Sequence, residues 1–495
     1  MVRSGDFYAG SRLLSPLTEV IGLPIDQVNF VVCQLVALVL AFPFRLVLSP
    51  STTSLTVRHV VQVTVGMALT FFCFGYQIYH LIILSFVCYL LMKYGSRDWM
   101  HKAVFVYNML YLSATHIWRQ IYDYGGYTLD ITGPLMIMTQ KMTSMAFALH
   151  DGIYKDNSRL SDDQKSQAIR KMPSFLTFYS YVFYFHGIMC GPLCFFSDFI
   201  SFMEGRNFSE AKIPFTENGT TNNTLTTNNE DTCKKTTLTT KHYGIEKATL
   251  KTLLTAGICG ILMIFVAPHL CPPEGLVSPS WYEMNFVQKM GYLLICLMLA
   301  KQKYYFAWKL GEAVNNAAGL GFQGFDKDGK PKWDLVNNVD IWGVEFCNSL
   351  KLNLDAWNKT TLIWLRRVVY DRVPKFKVYA VFACSATWHG FYPGYYLTFA
   401  TGMLLTFAAR LIRRKIRPLF QVTASLAYFY DCITFTFVRL ANPWMCAPFL
   451  MLELMPAIQL YNSLYWYLHI MAMVALVVLP FYHPPKPKTE EKKTQ

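Results

Sequence analysis

Long stretches without a charged side chain recur along most of the chain. The apolar runs cover residues 28–44, 60–92, 103–118, 175–196, 252–271, 291–300, 378–409, 440–452 and 454–485. A helix that spans a bilayer needs about 20 residues, so the run 60–92 is too long for one span. The patch Gly75-Tyr76-Gln77 predicts a turn within that run, and Pro393-Gly394 predicts a break within 378–409.

This pattern predicts an all-α polytopic membrane protein. We expect about ten or eleven transmembrane helices, some of them short or re-entrant. The period-2 alternation that a membrane barrel would require is absent from the sequence. We also expect no cleavable signal, because the first 25 residues lack an apolar core followed by a small-residue cleavage site.

Composition supports one large membrane domain. The chain has 495 residues, of which 53% are hydrophobic and 15% charged, whereas soluble domains carry about 25% charged residues. A disordered chain and a coiled coil are excluded. We assign residues 15–485 to a single membrane domain and residues 486–495 to a basic tail. The 13 cysteines show no CxxC pair, which predicts buried free thiols.

The net charge of +14 is unevenly distributed. A short loop is expected to carry five basic residues, Arg410, Arg413, Arg414, Lys415 and Arg417, and the tail carries Lys486, Lys488, Lys492 and Lys493. The positive-inside rule places both on the cytosolic side. Lys492 and Lys493 also resemble a dilysine retrieval signal of the endoplasmic reticulum, for which an ordinary solvated tail is the alternative.

Residues 206–246 form a Thr- and Asn-rich stretch that predicts a loop. Asn207, Asn218 and Asn222 each fit the glycosylation sequon, which would require a lumenal loop. Nearby lysines favour the cytosol instead, namely Lys234, Lys235, Lys241 and Lys247. We therefore interpret the sequons as chance matches.

Two polar side chains, those of His389 and Asn358, are candidates for a catalytic function. His389 lies in a run of some thirty residues that is otherwise free of charge, and an imidazole there can act as a general base towards a hydroxyl. Asn358 precedes a helical stretch, and its carboxamide can donate to an oxyanion. The structural alternatives are a core histidine bonded to a carbonyl and a helix-capping asparagine.

Two further segments accompany these residues. Basic side chains lie between them, diluted only by Asp371: Arg366, Arg367, Arg372, Lys375 and Lys377. Such a cluster anchors a protein to a membrane surface or binds the phosphates of an anionic co-substrate. Upstream, residues 304–324 combine aromatic side chains with small residues, which permits close helix packing.

Together these motifs resemble the membrane-bound O-acyltransferase family. Its signature is a Trp-Asn pair followed, after a basic amphipathic stretch, by an intramembrane Trp-His-Gly, here with Asn358 and His389 31 residues apart. The segments 173–205, 303–324, 332–334 and 388–396 resemble the lysophospholipid acyltransferase branch. Residues 23–30 are similar to a subgroup that prefers lysophosphatidylethanolamine and lysophosphatidylserine. The resemblance covers roughly residues 15–482, except the loop after Arg206.

The resemblance implies transfer of an acyl chain, often oleoyl, from acyl-CoA to the sn-2 hydroxyl of a lysophospholipid in the endoplasmic reticulum membrane. It implies His389 and Asn358 as catalytic residues, and acyl-CoA as a co-substrate without a bound cofactor or metal. From charge and proximity we expect the CoA phosphates near Lys303, Lys309, Arg366, Arg367 and Lys375. Trp308, Asn316 and Trp364 are expected to line the acyl or CoA channel.

Several alternatives remain at this point. The acceptor could be lysophosphatidylcholine or lysophosphatidylinositol, and a protein acceptor is disfavoured by the length of the resemblance. A different class is a lipid transporter or scramblase, which internal repeats would favour, and the sequence shows none. The positive excess is explained by orientation and a CoA-binding mouth, so we expect no nucleic-acid partner. The oligomeric state is not encoded in any pattern that we recognise.

Overall fold

The computed structural model describes residues 7–126, 128–189, 191–211 and 243–482. Within these ranges the chain is helical, and its β structure is limited to an isolated antiparallel bridge between Phe325 and Pro331. The predicted all-α class is therefore confirmed. The bridge closes a turn in which the Asp326 carboxylate accepts hydrogen bonds from the backbone N–H groups of Asp328 and Lys330.

The helices of the first half are α1 Ser15–Ile21, α2 Ile25–Leu46, α3 Leu55–Phe74, α4 Ile78–Tyr94, α5 Met100–Tyr122, α6 Thr132–Tyr154, α7 Asp162–Gln167, α8 Phe175–Val182, α9 Phe196–Glu204, α10 Arg206–Ser209 and α11 Ile245–Ile261. Those of the second half are α12 Ala267–Leu270, α13 Pro279–Glu283, α14 Phe286–Ala300, α15 Gln302–Ala318, α16 Ile341–Phe346, α17 Leu350–Ala356, α18 Lys359–Leu365, α19 Lys377–His389, α20 Pro393–Lys415, α21 Arg417–Phe420, α22 Ala424–Met451, α23 Leu454–Ser463 and α24 Tyr467–Val478. Short 3₁₀ turns occur at Gly75–Gln77, Asn157–Arg159 and Pro273–Gly275, and π-helical turns at Leu262–Val266 and Arg366–Tyr370.

The chain divides into two compact units. Unit 1 comprises Met1–Leu112, Gly126–Ile258 and Phe306–Asn338. Its helices α3 and α8 pack together, as do α4 and α6. The interior of unit 1 also holds two buried cations. The Arg58 guanidinium lies 4.6 Å from the Phe44 ring centroid, and Lys141 donates to the carbonyls of Tyr181 and Val182 at 3.2 Å. Both charges are thus offset by rings and carbonyl dipoles rather than by carboxylates.

Unit 2 comprises Ser113–Gly125, Cys259–Tyr305 and Val339–Gln495. Helix α20 packs against α19, α22 and α24, and α14 packs against α22. At its core, the fully buried rings of Trp444 and Tyr461 stack with centroids 4.4 Å apart. The Trp444 indole N–H donates to His469 at 3.1 Å, so the polar atom of this large side chain is satisfied inside the apolar core.

Four helical stretches in the described ranges are long and apolar enough to cross a membrane. These are Ile25–Leu46, Leu55–Tyr94, Ile245–Gly275 and Pro393–Lys415. The helices Leu454–Ser463 and Tyr467–Val478, bent by 78° at a short break, make a fifth if they form one span. The other apolar runs contain helices that are shorter or more polar, and the run 175–196 is helical only in part. Helix α14, for example, has 15 residues.

The predicted helix breaks are found at the glycine and proline residues that indicated them in the sequence. The run 60–92 contains two helices, α3 and α4, with a 3₁₀ turn at Gly75–Gln77. Gly75 has φ +56°, and an added Cβ would lie 2.0 Å from the Ala9 carbonyl oxygen, so the close approach requires glycine. The run 378–409 is divided between α19 and α20, and Pro393 occupies the first position of α20.

Two local expectations are wrong. The run 175–196 does not form one apolar helix, because α8 ends at Val182 and the described residues before α9, 183–189 and 191–195, are not helical. Gly187, Gly191 and Pro192 disfavour a helix there, and the segment is nonetheless buried within unit 1. The basic residues 410–415 do not form a loop. They lie on the last turns of α20, where cationic side chains are favourable near the helix C-terminus. Arg417, the fifth basic residue of the predicted loop, is the first residue of α21.

Some predictions concern residues outside the described ranges, including the sequons at Asn218 and Asn222, most of the loop 206–246 and the tail with Lys492 and Lys493. Asn207 is described, and its side-chain amide donates to the Gly319 carbonyl at 3.0 Å. Since a glycan would be attached at that same nitrogen, the contact agrees with an unused sequon.

Candidate active site

Asn358 directly precedes helix α18 in unit 2, but its side chain does not cap the helix. Its backbone is left-handed (φ 48°, ψ 50°), and its side chain makes no capping hydrogen bond. The backbone carbonyl alone supports the first turn, by accepting from the Leu362 N–H at 3.0 Å. The half-buried carboxamide is therefore not used by the helix, and the capping alternative is wrong.

Trp357, the residue before Asn358, contacts two tyrosine rings of α15. Its ring centroid lies 6.0 Å from that of Tyr304 and 5.8 Å from that of Tyr305, both edge to face. Tyr305 is fully buried, and its hydroxyl donates to the Glu345 carboxylate at 2.6 Å. The Trp-Asn pair is thus connected through Tyr305 to the half-buried carboxylate of Glu345.

Glu345 is the centre of a polar network in unit 2. Its carboxylate pairs with Lys301 at 2.7 Å and with Arg439 at 3.6 Å. The Arg439 guanidinium also donates to the carbonyls of Val344 and Glu345. Asn442 and Asn353 extend the network with a hydrogen bond of 2.8 Å. These contacts fasten α16 and α17, which lead directly into Trp357 and Asn358, to helix α22.

His389 is the last residue of α19, and aromatic side chains surround its ring. The ring centroids of Trp388, Tyr395, Phe399 and Phe449 lie 4.7, 6.0, 5.4 and 5.1 Å away. Among the described residues, no side chain or backbone group makes a hydrogen bond with the imidazole nitrogens, so the expectation of a core histidine bonded to a carbonyl does not fit.

The backbone around His389 contacts a residue that the sequence did not single out. His116 of α5 has its Nε2 atom 3.1 Å from the Trp388 carbonyl oxygen. Nearby, the Gly125 N–H donates to the Tyr392 hydroxyl at 2.8 Å. No sequence motif marks His116 as part of the site. It lies 272 positions from Trp388 in the chain, within an ordinary apolar run.

The helices that carry the two candidate catalytic residues pack against each other. Trp364 of α18 is fully buried, and its ring centroid lies 5.7 Å from that of Trp388 on α19. The structure therefore places Trp364 in the packing beside the His389 turn. It provides a contact between α18, which follows Asn358, and α19, which ends at His389.

The basic side chains between them differ in exposure. Arg366 and Lys375 are exposed, and Arg367 and Lys303 are half-buried. Arg366 lies 3.7 Å from the Asp371 carboxylate, with 58% of its side chain exposed. Solvent screening leaves such a pair weak, so Arg366 and Lys375 can reach an external anion.

The remaining predicted binding residues belong to unit 1. Lys309 is buried and paired with Glu312 at 2.7 Å, and a charge already paired with an acid is a weaker phosphate ligand. Asn316 is fully buried and donates to the Thr252 hydroxyl at 3.2 Å. Trp308 is half-buried on α15.

Comparison with known proteins identifies the family. The sequence profile of the membrane-bound O-acyltransferase family matches residues 68–455. The chain belongs to this family. It is 40% identical to membrane-bound glycerophospholipid O-acyltransferase 2 of Rattus norvegicus over 98% of its own length and 91% of the relative's. It is also 40% identical to membrane-bound glycerophospholipid O-acyltransferase 1 of Homo sapiens, over 95% and 92%. The lysophospholipid acyltransferase of Schizosaccharomyces pombe is 28% identical, over 95% and 89%.

Membership in the membrane-bound O-acyltransferase family confirms the resemblance seen in the motifs. The protein is a multi-pass membrane enzyme that transfers acyl groups, and the transporter alternative is set aside. The profile match includes Asn358, the basic stretch and His389. An acyltransferase needs a base for the attacking hydroxyl and a donor for the carbonyl oxygen, and an imidazole and a carboxamide are side chains that can supply these two functions.

Proposed function

We propose that the protein transfers a fatty acyl chain, oleoyl by preference, from acyl-CoA to the sn-2 hydroxyl of lysophosphatidylethanolamine or lysophosphatidylserine, with His389 and Asn358 as the catalytic residues. The proposal places the enzyme in the endoplasmic reticulum membrane with its C-terminus in the cytosol. The names of the relatives, which include glycerophospholipid and lysophospholipid acyltransferases, support this acceptor class.

The reaction needs no covalent enzyme intermediate. The acceptor hydroxyl attacks the thioester carbonyl while His389 takes the hydroxyl proton. Asn358 donates its side-chain N–H to the carbonyl oxygen as negative charge develops there. The C–S bond then breaks, and the imidazolium returns the proton to the departing CoA sulfur. The products are a diacyl phospholipid and CoA with a free thiol, so atoms and charge balance.

The assignment rests on the hydrogen bonding of these two side chains. Asn358 occupies a helix start without using its carboxamide there, and the described part of the chain offers the His389 nitrogens no hydrogen-bond partner. Half-buried polar groups without a structural role are costly to keep in an apolar region. A reactant that hydrogen-bonds to both explains why they are present.

The CoA portion of the donor is expected on the basic stretch that joins the two motifs. Arg366, Arg367 and Lys375 are the best placed of the predicted cations, because they are exposed or half-buried and follow Asn358 directly in the chain. Guanidinium groups bind phosphate through paired N–H donors. Lys309 contributes less in this proposal because of its ion pair with Glu312.

The first experiment uses purified full-length protein, radiolabelled oleoyl-CoA and a panel of lysophospholipids with ethanolamine, serine, choline and inositol headgroups. We expect labelled diacyl product with the ethanolamine and serine acceptors at rates at least tenfold above the others. Equal rates on all four would refute the headgroup assignment. Absence of labelled product with every acceptor would refute lysophospholipids as the substrate class.

The second experiment separates chemistry from structure. Asn358→Ala should lower kcat by about 10²- to 10³-fold, as loss of an oxyanion donor does, with little change in thermal stability. Asn285→Ala is the matched control, because Asn285 does cap α14 by accepting from the Gln288 N–H. It should cost about 1 kcal/mol of stability and leave kcat unchanged. His389→Ala should abolish turnover in folded protein, and substantial residual turnover would refute the general-base role.

A further inference from the structure

We propose that His116 is a positioning residue for the acyl transfer, which holds the end of α19 so that the His389 ring meets the acceptor hydroxyl in the right orientation. The inference rests on the proposed role of His389 as the base. It adds a second histidine to the mechanism, one that does not touch the reactants.

The hydrogen bond between His116 and the Trp388 carbonyl has only one possible direction. A carbonyl oxygen accepts, so the His116 Nε2 atom, 3.1 Å away, must carry the hydrogen and donate. The last carbonyls of a helix lack partners within the helix. Here the Gly390 N–H donates to the carbonyls of Ala386 and Thr387, and the His116 ring donates to that of Trp388. The peptide bond that joins Trp388 to His389 is thereby fixed.

The glycine after His389 brings the backbone close to the same imidazole. Gly390 has φ +118°, a conformation that side chains rarely allow. A Cβ added there would lie 3.3 Å from the His116 ring atoms Cγ and Nδ1. His116 therefore contacts the chain on both sides of His389: it donates to the carbonyl before it and packs against the glycine after it.

A third contact binds the same two segments together. The Gly125 N–H, three residues beyond the end of α5, donates to the Tyr392 hydroxyl at 2.8 Å. The rings of Tyr124 and Tyr392 lie 5.3 Å apart. The segment 116–125 thus fastens the turn 388–392 at two points, one of which is the His116 hydrogen bond.

His389 depends on such support more than most catalytic histidines do. A histidine base is commonly oriented by a hydrogen bond from its second nitrogen to a carboxylate or carbonyl, and the described residues supply none to His389. Its orientation must come from aromatic packing and from the backbone that carries it. A displacement of about 1 Å at a reacting group can cost about 10²-fold in rate, so loosening the helix end should reduce turnover.

The test compares His116→Phe, which keeps the ring and removes the donor, with His116→Gln, whose side-chain N–H can reach a similar position. We expect His116→Phe to lower kcat by 10- to 100-fold while the KM values for acyl-CoA and lysophospholipid change by less than twofold. His116→Gln should recover most of the loss. His80→Phe is the matched control, because His80 is also half-buried and hydrogen-bonded, to Tyr111 at 2.8 Å. It should keep the kcat of the unmodified enzyme.

Three results would overturn the proposal: an unchanged kcat for His116→Phe, a loss confined to KM, or equal losses for the Phe and Gln variants. If neither variant gives folded protein, His116 is needed for folding and the positioning role is also refuted. His389→Ala distinguishes this failure from that of the proposed function. An active His389→Ala enzyme refutes the base itself, whereas an inactive one with a fully active His116→Phe enzyme refutes only the positioning role.

Discussion

Replacing Glu345 by glutamine should destabilise unit 2 and disturb the support of Asn358. The carboxylate accepts a hydrogen bond from the Tyr305 hydroxyl at 2.6 Å and forms ion pairs with Lys301 at 2.7 Å and Arg439 at 3.6 Å. Glutamine is nearly the same size, but it is neutral and turns an N–H₂ group toward one of these donors. Two cations would then remain without their carboxylate.

The expected magnitude follows from how buried the charges are. Removing one partner of a buried ion pair costs about 3–5 kcal/mol. The side chains of Lys301, Glu345 and Arg439 retain 11, 14 and 15% exposure, so water screens them slightly and we take the lower end, about 3 kcal/mol. Converting Lys301 to Met together with Glu345→Gln should recover part of the loss, since it removes one of the uncompensated cations.

The assay is thermal inactivation of purified protein, combined with kcat at a permissive temperature. Glu345→Gln should inactivate at a clearly lower temperature and show a reduced kcat, because Tyr305 and Trp357 connect Glu345 to Asn358. The control is Glu246→Gln, which breaks the Arg45 pair on a side chain that is 60% exposed and should cost less than about 1 kcal/mol. If the two variants inactivate at the same temperature, the reasoning about burial is wrong.

Three further predictions concern packing and charge. Trp364→Ala should cost about 3–5 kcal/mol of stability and lower kcat through Trp388, whereas Trp364→Phe should be mild; a change in KM alone would instead indicate a channel residue. Gly394→Ala should be destabilising, because the new Cβ would lie 2.1 Å from the Pro448 carbonyl oxygen. The control is Gly291→Ala in α14, where a new Cβ would have no heavy atom within 4 Å, and this variant should be as stable as the unmodified protein or more stable. Neutralising Arg366 and Arg367 together should raise the KM for acyl-CoA more than that for the acceptor, and the reverse order would indicate membrane anchors.

The helical class and several breaks were readable from the sequence because they depend on local chemistry. A charge-free run, the glycine of 75–77 and the Pro393-Gly394 pair act within one or two turns of chain. The segment 175–196 could not be read in this way. Its apolar character reflects burial inside unit 1, and burial alone does not distinguish a helix from irregular backbone.

The two motif residues of the candidate site were predictable from the sequence, but the contacts that hold them in place were not. Asn358 and His389 stand out as polar groups in apolar or amphipathic surroundings. The left-handed backbone of Asn358, the network around Glu345 and the bond from His116 arise from contacts between distant parts of the chain. A single histidine in an apolar helix gives no sign of a carbonyl 272 residues away.

The π-helical turn at Arg366–Tyr370 has a consequence for how the chain tolerates changes in length. The Asp371 N–H donates to the Arg366 carbonyl at 2.9 Å, a bond from residue i+5 to residue i. Such a turn winds one extra residue into a helix without breaking it, and each residue turns an α-helix by about 100°. Removing one residue here would restore ordinary winding, whereas the same deletion inside α19 would rotate the His389 face away from its surroundings. Among the helical residues between the two motifs, this turn is therefore where a single-residue deletion does the least damage to helix geometry.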